Sequence, residues 1–287
     1  MSKTPGFWER SGVLFFCSVM KRETIKDLLS QKLPENITGF LKSAGRCAED
    51  MGFRAFAVGG LVRDLIMDRE SFDIDLVIEG EGMRFAGEFA RRHSADVRYY
   101  KKFGTAVLAF SDGYKLDVAT ARTEVYEYPA ALPRVLPGSI RDDMFRRDFT
   151  INTLAVSLSP GYFGELLDFF NVREDIKKKL IRVMHDLSFI DDPTRVFRAV
   201  RFEQRLGFKI VSSTEKLIKE VVAINLFDKL PGYRISSELK LILQERDPLP
   251  ALRRLEEFGV LRLIRREAGR DKGVKRLLDK IDSMSDD

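Results

Sequence analysis

Two aspartates separated by one residue are the first candidate for chemistry in this 287-residue sequence. Asp73-Ile74-Asp75 opens an apolar run, Ile74 to Ile78, that is typical of a strand. Because residues i and i+2 of a strand point to the same face, the two carboxylates are predicted to project together. Such a pair is unfavourable unless a cation lies between the charges, and it suits Mg²⁺ that also binds substrate phosphates. The motif alone leaves open that this is an exposed pair without function.

A glycine turn precedes the aspartate pair by about ten residues. Val58 is followed by Gly59-Gly60 and then by the start of a short helix that carries Arg63. Backbone N–H groups at such a turn can bind a phosphate, and a guanidinium adds a fork of donors. The alternative is a structural turn with a surface arginine. Phosphate binding is favoured because the turn and the carboxylate pair occur together.

A third carboxylate, Asp117, lies on a later predicted strand between apolar neighbours. A charge in that position needs a partner. The partner is either the same metal site or Arg122, and the sequence leaves both open. Three carboxylates, two Mg²⁺ ions and a nucleoside triphosphate would suffice for two-metal nucleotidyl transfer.

The scarcity of histidine and cysteine excludes most other chemistry. The chain has two of each, Cys17, Cys47, His93 and His185, too far apart for a zinc-site spacing and too few for a disulfide framework. Any catalysis must therefore depend on carboxylates, arginines, lysines and metal ions.

The elements around these residues alternate up to about residue 118 and are helical after Arg182. Residues 23–51 predict two amphipathic helices. Strands are predicted at 53–58, 74–78, 97–100, 106–110 and 115–118, and helices at 61–67, 83–93, 194–208, 213–225, 233–245, 249–258 and 272–282. Asp112-Gly113 predicts a hairpin turn, and the proline-containing residues 120–141 predict a long irregular loop. The predicted fold class is α+β, with a small mixed sheet followed by helices.

Four ordered motifs carry a resemblance to a known family. They are Gly59 to Asp64 with Asp73-Ile74-Asp75, Arg146 to Asn152, and Asp191 to Phe202. With them, residues 50–250 resemble the class II tRNA nucleotidyltransferase and bacterial poly(A) polymerase family of the DNA polymerase beta superfamily. The segment Thr120 to Leu136 looks more like the CCA- or A-adding branch.

The resemblance implies roles for individual residues. Positions matching Gly60 and Arg63 bind the triphosphate, and those matching Asp73 and Asp75 bind metal. The position matching Arg147, with Asp148 nearby, contacts the nucleotide and its ribose. Without the family match, a salt-bridged surface cluster at a helix start is an alternative for Arg146-Arg147-Asp148.

The resemblance also implies a protein template that reads the incoming base. It corresponds to Asp192 and Arg195, aided by Arg198 and Arg201, because a carboxylate and guanidinium groups supply acceptors and donors. Asp192 before Pro193 is also a good helix N-cap, and both interpretations can hold.

Arg234 and Glu238, spaced i and i+4, are predicted to form a structural ion pair. The core of the template helix is predicted to contain Val196, Val200 and Leu206.

Four regions are expected: an N-terminal extension with helices (1–50), a nucleotidyltransferase head (51–183), a helical neck with the template (184–250) and a basic start of a shortened body (251–287). Residues 251–280 hold ten Lys/Arg and five Asp/Glu. That surplus suggests a polyanion partner or a solvated helix face. Residues 1–19 precede the organised pattern, and Met20 is a candidate start.

The predicted function is addition of C and/or A from CTP or ATP to tRNA 3′ ends, with two Mg²⁺ ions. A poly(A) polymerase is the alternative within catalysis, and a catalytically silent RNA-binding remnant is the alternative outside it. No apolar stretch is long enough for a membrane span, and a cytoplasmic location is expected. The sequence indicates no oligomeric state.

Overall fold

The computed structural model describes residues 23–70, 73–267 and 271–285. The expectations about residues 1–19, Met20 and Cys17 therefore lie outside the described residues.

A mixed eight-stranded sheet forms the first half of the molecule. The strands of the described chain are β1 (Glu23–Thr24), β2 (Arg54–Val58), β3 (Ile74–Glu79), β4 (Asp96–Tyr100), β5 (Thr105–Ala109), β6 (Lys115–Thr120), β7 (Arg122–Val125), β8 (Arg134–Pro137), β9 (Ala155–Ser157), β10 (Glu165–Leu167), β11 (Leu180–Ile181) and β12 (Lys209–Ile210). The sheet order is β1-β10-β9-β2-β3-β6-β5-β4. β3 is parallel to β6 and antiparallel to β2.

Helices cover one face of the sheet and part of the other, and they form most of the second half. They are α1 (Lys26–Lys32), α2 (Glu35–Asp50), α3 (Gly60–Ile66), α4 (Gly82–His93), α5 (Ile140–Phe145), α6 (Arg173–Lys177), α7 (Ser188–Asp191), α8 (Arg195–Leu206), α9 (Ser212–Ala223), α10 (Gly232–Leu243), α11 (Leu249–Glu257), α12 (Val260–Glu267) and α13 (Lys272–Ser285). The predicted α+β class is confirmed. None of the helices described is long and apolar enough to cross a membrane.

Alternate residues of β3 point to opposite faces of the sheet, one towards the main core and the other towards the candidate site. Leu76 and Ile78 point to one face, where they share the main core with Phe85 and Phe89 of α4. Burial of each such side chain contributes about 1.5–3 kcal/mol, so this face is fixed. Asp75 must then point to the other face.

The prediction of an irregular loop over 120–141 is wrong. β7 and β8 pair antiparallel, with Arg122 opposite Pro137, and α5 follows with a capping box at Ser139. Proline is tolerated in such a ribbon because it need not donate to a neighbouring strand. The prolines that suggested a loop therefore mark the ribbon and its turn.

The prediction of an all-helical second half needs two corrections. β12 pairs in parallel with β11, and two residues are too short to show strand alternation in the sequence. α12 was also not predicted. The core of α8 is confirmed, because Val196, Val200 and Leu206 are buried.

The proposed boundaries of the four regions stay a prediction.

Candidate active site

The parallel pairing of β3 and β6 brings two of the predicted carboxylates together. Asp75 lies directly opposite Asp117 in the register, and Asp73 immediately precedes β3. All three line one cleft of about 860 Å³. Arg122 instead donates to Glu124 and to the carbonyl of Phe103, so the alternative partner for Asp117 is excluded.

Burial and neighbouring carboxylates raise the pKa of Asp75 and of Asp117. Burial raises the pKa of Asp75 to about 6, and Asp117 and Asp73 add to the rise while Arg147 opposes it. Burial and Asp73 also raise the pKa of Asp117. The cleft floor thus concentrates negative charge that a cation would relieve.

The glycine turn approaches this floor closely. Gly59 has a φ of +67°, and a Cβ at this position would lie 2.9 Å from Nη1 of Arg147 and 3.7 Å from Oδ2 of Asp75. The positive φ favours glycine here, and a side chain at this position would also displace the Arg147 guanidinium. Gly60, the first residue of α3, also lines the cleft.

Arg63 is a buried residue rather than a surface arginine. Its Nε and Nη2 donate to Asp64 at 2.8 and 2.9 Å, and its Nη1 donates to Oδ1 of Asn152 at 2.7 Å. Three of its five N–H groups are therefore engaged within the protein, and two remain for a ligand. Arg63 also lines the cleft.

The Arg146-Arg147-Asp148 motif lies at the end of α5, and its predicted placement at a helix start is wrong. The helix begins earlier because Ser139 and Asp142 form its capping box. Arg147 pairs with the buried Asp143 at 3.2 Å, and it also lines the cleft beside Gly59.

Asp148 links this motif to the template helix. Its Oδ2 accepts from Nε and Nη2 of Arg198 at 2.8 and 2.5 Å, and its Oδ1 accepts from Nδ2 of Asn152 at 3.0 Å. Burial alone would raise the pKa of Asp148, but Arg198 and Asn152 outweigh it and hold this pKa at about 2.

Asp192 and Arg195 lie at the junction of α7 and α8 and line the cleft. The prediction that Asp192 is the N-cap of α8 is wrong, because Pro193 and Thr194 form a turn and the helix begins at Arg195. The Asp192 carboxylate accepts from the backbone N–H of Thr194 at 2.9 Å. It also pairs with Arg234 at 2.8 Å.

Three cleft-lining arginines surround one aromatic ring. The guanidinium carbons of Arg63, Arg198 and Arg201 lie 5.5, 5.6 and 5.3 Å from the ring centre of Phe202. The i+3 spacing of Arg195, Arg198 and Arg201 on α8 thus directs a row of cations to the cleft.

The predicted Arg234–Glu238 ion pair is wrong. Arg234 reaches Asp192 and donates to the carbonyl of Ala130 at 3.3 Å. Glu238 Oε2 is buried without a hydrogen-bond partner among the described residues, and burial raises the pKa of this carboxyl despite Arg198 and Arg201. Helical spacing placed the two residues on adjacent turns but could not show that Asp192 is a closer partner.

Sequence reasoning missed Glu124 and Tyr126, which also line the cleft. Glu124 accepts from Arg122, Arg146 and the Tyr126 hydroxyl at 2.9, 3.1 and 2.8 Å. Burial and Glu124 raise the pKa of Tyr126. The sequence signal was a polar residue at each alternate position, Arg122, Glu124 and Tyr126. The nearby prolines, which favour a loop, concealed it.

Comparison with known proteins agrees with this geometry. The sequence matches the Poly A polymerase head domain over residues 55–182, and the probable RNA- and SrmB-binding site of polymerase A over residues 207–268. The A-adding tRNA nucleotidyltransferase of Geobacter sulfurreducens is 46% identical over 262 residues, covering 91% of this chain and 30% of the relative.

Two solved structures are also similar. An apo CCA-adding enzyme superposes with a TM-score of 0.80 at 39% identity, covering 85% of this chain and 57% of that one. A tRNA nucleotidyltransferase complexed with a primer tRNA and an incoming ATP analog gives 0.68 at 42% identity, covering 77% and 62%. The chain thus spans about a third of that curated relative and under two thirds of the similar structures.

The fold, with acidic residues on one sheet face and an arginine-lined helix beside it, is that of a Poly A polymerase head domain followed by helices. Sequence and structure matches then specify the group. This chain belongs to the tRNA nucleotidyltransferase and poly(A) polymerase family.

Proposed function

We propose that this chain transfers a nucleotide from ATP or CTP to the 3′ end of tRNA, adding C and/or A. The observation that carries the proposal is the pairing of Asp75 with Asp117 across β3 and β6, in the cleft that Asp73 also lines. The similarity to an A-adding tRNA nucleotidyltransferase supports tRNA as the acceptor. A cytoplasmic location stays a prediction.

The donor set fits Mg²⁺. Asp73 and Asp75 offer carboxylate oxygens, the ligands of hard cations, and burial together with Asp117 and Asp73 raises the pKa of Asp75. Within the described ranges no three His, Cys, Asp or Glu side chains are gathered into a complete metal-binding group. Two Mg²⁺ ions held here with substrate phosphates would supply activation of the 3′-hydroxyl and neutralisation of the leaving pyrophosphate.

The residues around the turn bind the triphosphate in this proposal. Gly59 and Gly60 allow close approach, Arg63 offers its two remaining N–H groups, and Arg147 lies between the turn and the carboxylates. Nε of Arg147 is buried and has no hydrogen-bond partner among the described residues, so this guanidinium has donor capacity left.

The base is read by Asp192 and Arg195. Arg234 and Thr194 hold the Asp192 carboxylate, while Arg195 donates to the carbonyl of Arg146 at 2.9 Å through one nitrogen. Its other terminal nitrogen, Nη1, is buried and lacks a partner within the described chain. A fixed acceptor beside a donor can pair with a base edge.

Asp148, Arg198 and Arg201 support that reading. Asp148 and Arg198 are paired with each other and line the cleft, so they set the position of α8 relative to Arg147. Arg201 pairs with Glu245 at 3.4 Å, lies over the ring of Phe202 and contributes positive charge at the cleft wall.

A primer-extension assay tests this function. The chain is incubated with tRNAs that lack the last one, two or three nucleotides, each with CTP or ATP and Mg²⁺. The proposal predicts incorporation of a defined nucleotide on at least one of these tRNAs and none without Mg²⁺. A chain that binds tRNA but incorporates neither nucleotide would be an RNA-binding remnant.

Poly(A) polymerase is the second candidate, favoured by the match to the Poly A polymerase head domain. The same assay separates the two. Addition that stops after completing the tRNA end supports the tRNA enzyme, whereas continued addition of A to any RNA supports the polymerase.

A further inference from the structure

An exposed run of aromatic and basic residues covers the end of β4, the outer strand of the sheet, and the residues directly after it. Tyr99, Tyr100 and Phe103 are 42, 41 and 44% exposed. The run is Arg98, Tyr99, Tyr100, Lys101, Lys102 and Phe103. Within the part of the chain that the structure describes, its three cations form no ion pair. Exposed aromatic side chains alternating with cations are typical of single-stranded nucleic-acid binding.

Strand register places Arg98 and Tyr100 on the face of the sheet that carries Asp75 and Asp117. Arg98 is opposite Val107, which is opposite Asp117, which is opposite Asp75. Directly opposed residues share a face of the sheet. Arg98 thus ends a row of side chains that begins at the proposed metal site.

Tyr100 ends the parallel row two residues further along. It is opposite Thr105, which is opposite Ala119, and both of these line the cleft. Tyr99, between Arg98 and Tyr100, points to the opposite face. Its hydroxyl lies 2.7 Å from the place that a Cβ added to Gly87 of α4 would occupy.

The two sides of the carboxylates are therefore different. On the β2 side lie the glycine turn, Arg147 and the template helix, which would hold the incoming nucleotide. On the β5–β4 side the face is partly exposed, and Arg98 lies two strands, or about 10 Å, from Asp117. In-line transfer requires the attacking hydroxyl to approach from the side opposite the leaving pyrophosphate.

We propose that Arg98 and Tyr100 bind the single-stranded 3′ end of the acceptor RNA, upstream of its reacting nucleotide. The inference rests on the proposed function. The Tyr100 ring stacks on a base, and the Arg98 guanidinium, 5.8 Å from that ring centre, contacts a phosphate. Lys101 and Lys102 add positive charge and also disfavour pairing of the β4 edge with another strand.

Steady-state kinetics of variants of the whole chain test this site. The substrate is a tRNA that lacks only its terminal nucleotide or, if the wild type does not extend that one, the shortened tRNA that it does extend. Tyr100→Ala and Arg98→Ala are compared with matched controls, Tyr99→Ala on the opposite face and Arg84→Ala on α4. Arg84 is exposed and pairs with Glu81. Tyr100→Phe tests stacking, because it keeps the ring.

Tyr100→Ala is expected to raise KM for tRNA about five- to a hundredfold. Tyr100→Phe, Tyr99→Ala and Arg84→Ala should each leave this KM near the wild-type value. Arg98→Ala should also raise it and reduce the slope of log Kd against log salt by about 0.7. KM for the nucleotide stays constant in all five variants.

Three results overturn the inference. One is an active chain whose Arg98→Ala and Tyr100→Ala variants keep the wild-type KM for tRNA, which leaves the proposed function intact. Another is that these variants abolish self-association of the chain without changing KM for tRNA. The third is a wild-type chain that adds no nucleotide, which refutes the proposed function as well.

Discussion

The buried ion pair between Asp148 and Arg198 gives the most quantitative prediction of this structure. Asp148 is 8% exposed at its side chain and Arg198 33%, and the pair joins the segment after α5 to α8. We expect Asp148→Asn to destabilise the fold strongly, because the substitution removes the negative charge that pairs with Arg198. The new amide N–H group also faces other N–H donors and would find no acceptor among them.

The size of the loss follows from the pKa of Asp148. This pKa is lowered from 3.8 to about 2, and each pKa unit corresponds to about 1.4 kcal/mol. The ion pair and hydrogen bonds of the carboxylate thus stabilise the fold by about 2–3 kcal/mol at neutral pH. Because the pKa is lower in the folded state, this stabilisation is complete above pH 4 to 5 and disappears as the pH falls towards 2.

Urea unfolding of the wild type and Asp148→Asn at pH 7 and at pH 3 measures this contribution. The difference in unfolding free energy should be about 2–3 kcal/mol at pH 7 and clearly smaller at pH 3. Asp50→Asn is the matched control, since the Asp50–Arg92 pair is 57 and 34% exposed and should contribute much less than the Asp148–Arg198 pair. Equal unfolding midpoints for Asp148→Asn and Asp50→Asn at pH 7 would refute the reasoning.

Gly59→Ala should lower stability by about 1–3 kcal/mol, because alanine is strained at a φ of +67°. It should also raise KM for the nucleotide, because the new Cβ would displace the Arg147 guanidinium 2.9 Å away. Urea unfolding and nucleotide titration measure the two effects, and an unchanged KM would contradict the close approach. Asp75→Asn should raise the unfolding free energy by about 2–3 kcal/mol at pH 8, because the raised pKa shows that the ionised carboxylate is unfavourable in the fold. The gain should vanish below pH 4, and a loss of stability at pH 8 without Mg²⁺ would argue against the acidic cluster. Phe197→Ala should cost about 3–5 kcal/mol, since Phe197 is fully buried on α8; a cost below 1 kcal/mol, measured by urea unfolding, would contradict its place in the core.

Local patterns predicted the elements that position the acidic residues. The i, i+2 spacing of Asp73 and Asp75 and the turn at Asp112-Gly113 are properties of short segments, so the sequence alone defined them. The partner of Asp117 depended on whether β6 lies beside β3, which is a long-range pairing. The sequence therefore left that choice open, and the register resolved it.

The errors have two physical origins. Ion-pair partners such as Asp192 for Arg234 come from different elements, α7 and α10, and helical spacing cannot reveal them. The β7–β8 ribbon was missed because its prolines resemble loop signals, although a two-stranded ribbon tolerates them. The roles of Arg147, Asp148 and the α8 arginines came from the family resemblance rather than from spacing.

The central claim is that the carboxylates on β3 and β6 carry out nucleotidyl transfer. Its most direct test is single-turnover incorporation with Mg²⁺ by Asp75→Asn and Asp117→Asn, against Asp112→Asn in the distant β5–β6 turn, with tRNA binding measured for each. We predict that both site variants lose about a hundredfold or more in rate and still bind tRNA, while Asp112→Asn keeps the wild-type rate. Incorporation at the wild-type rate by either site variant would contradict the claim.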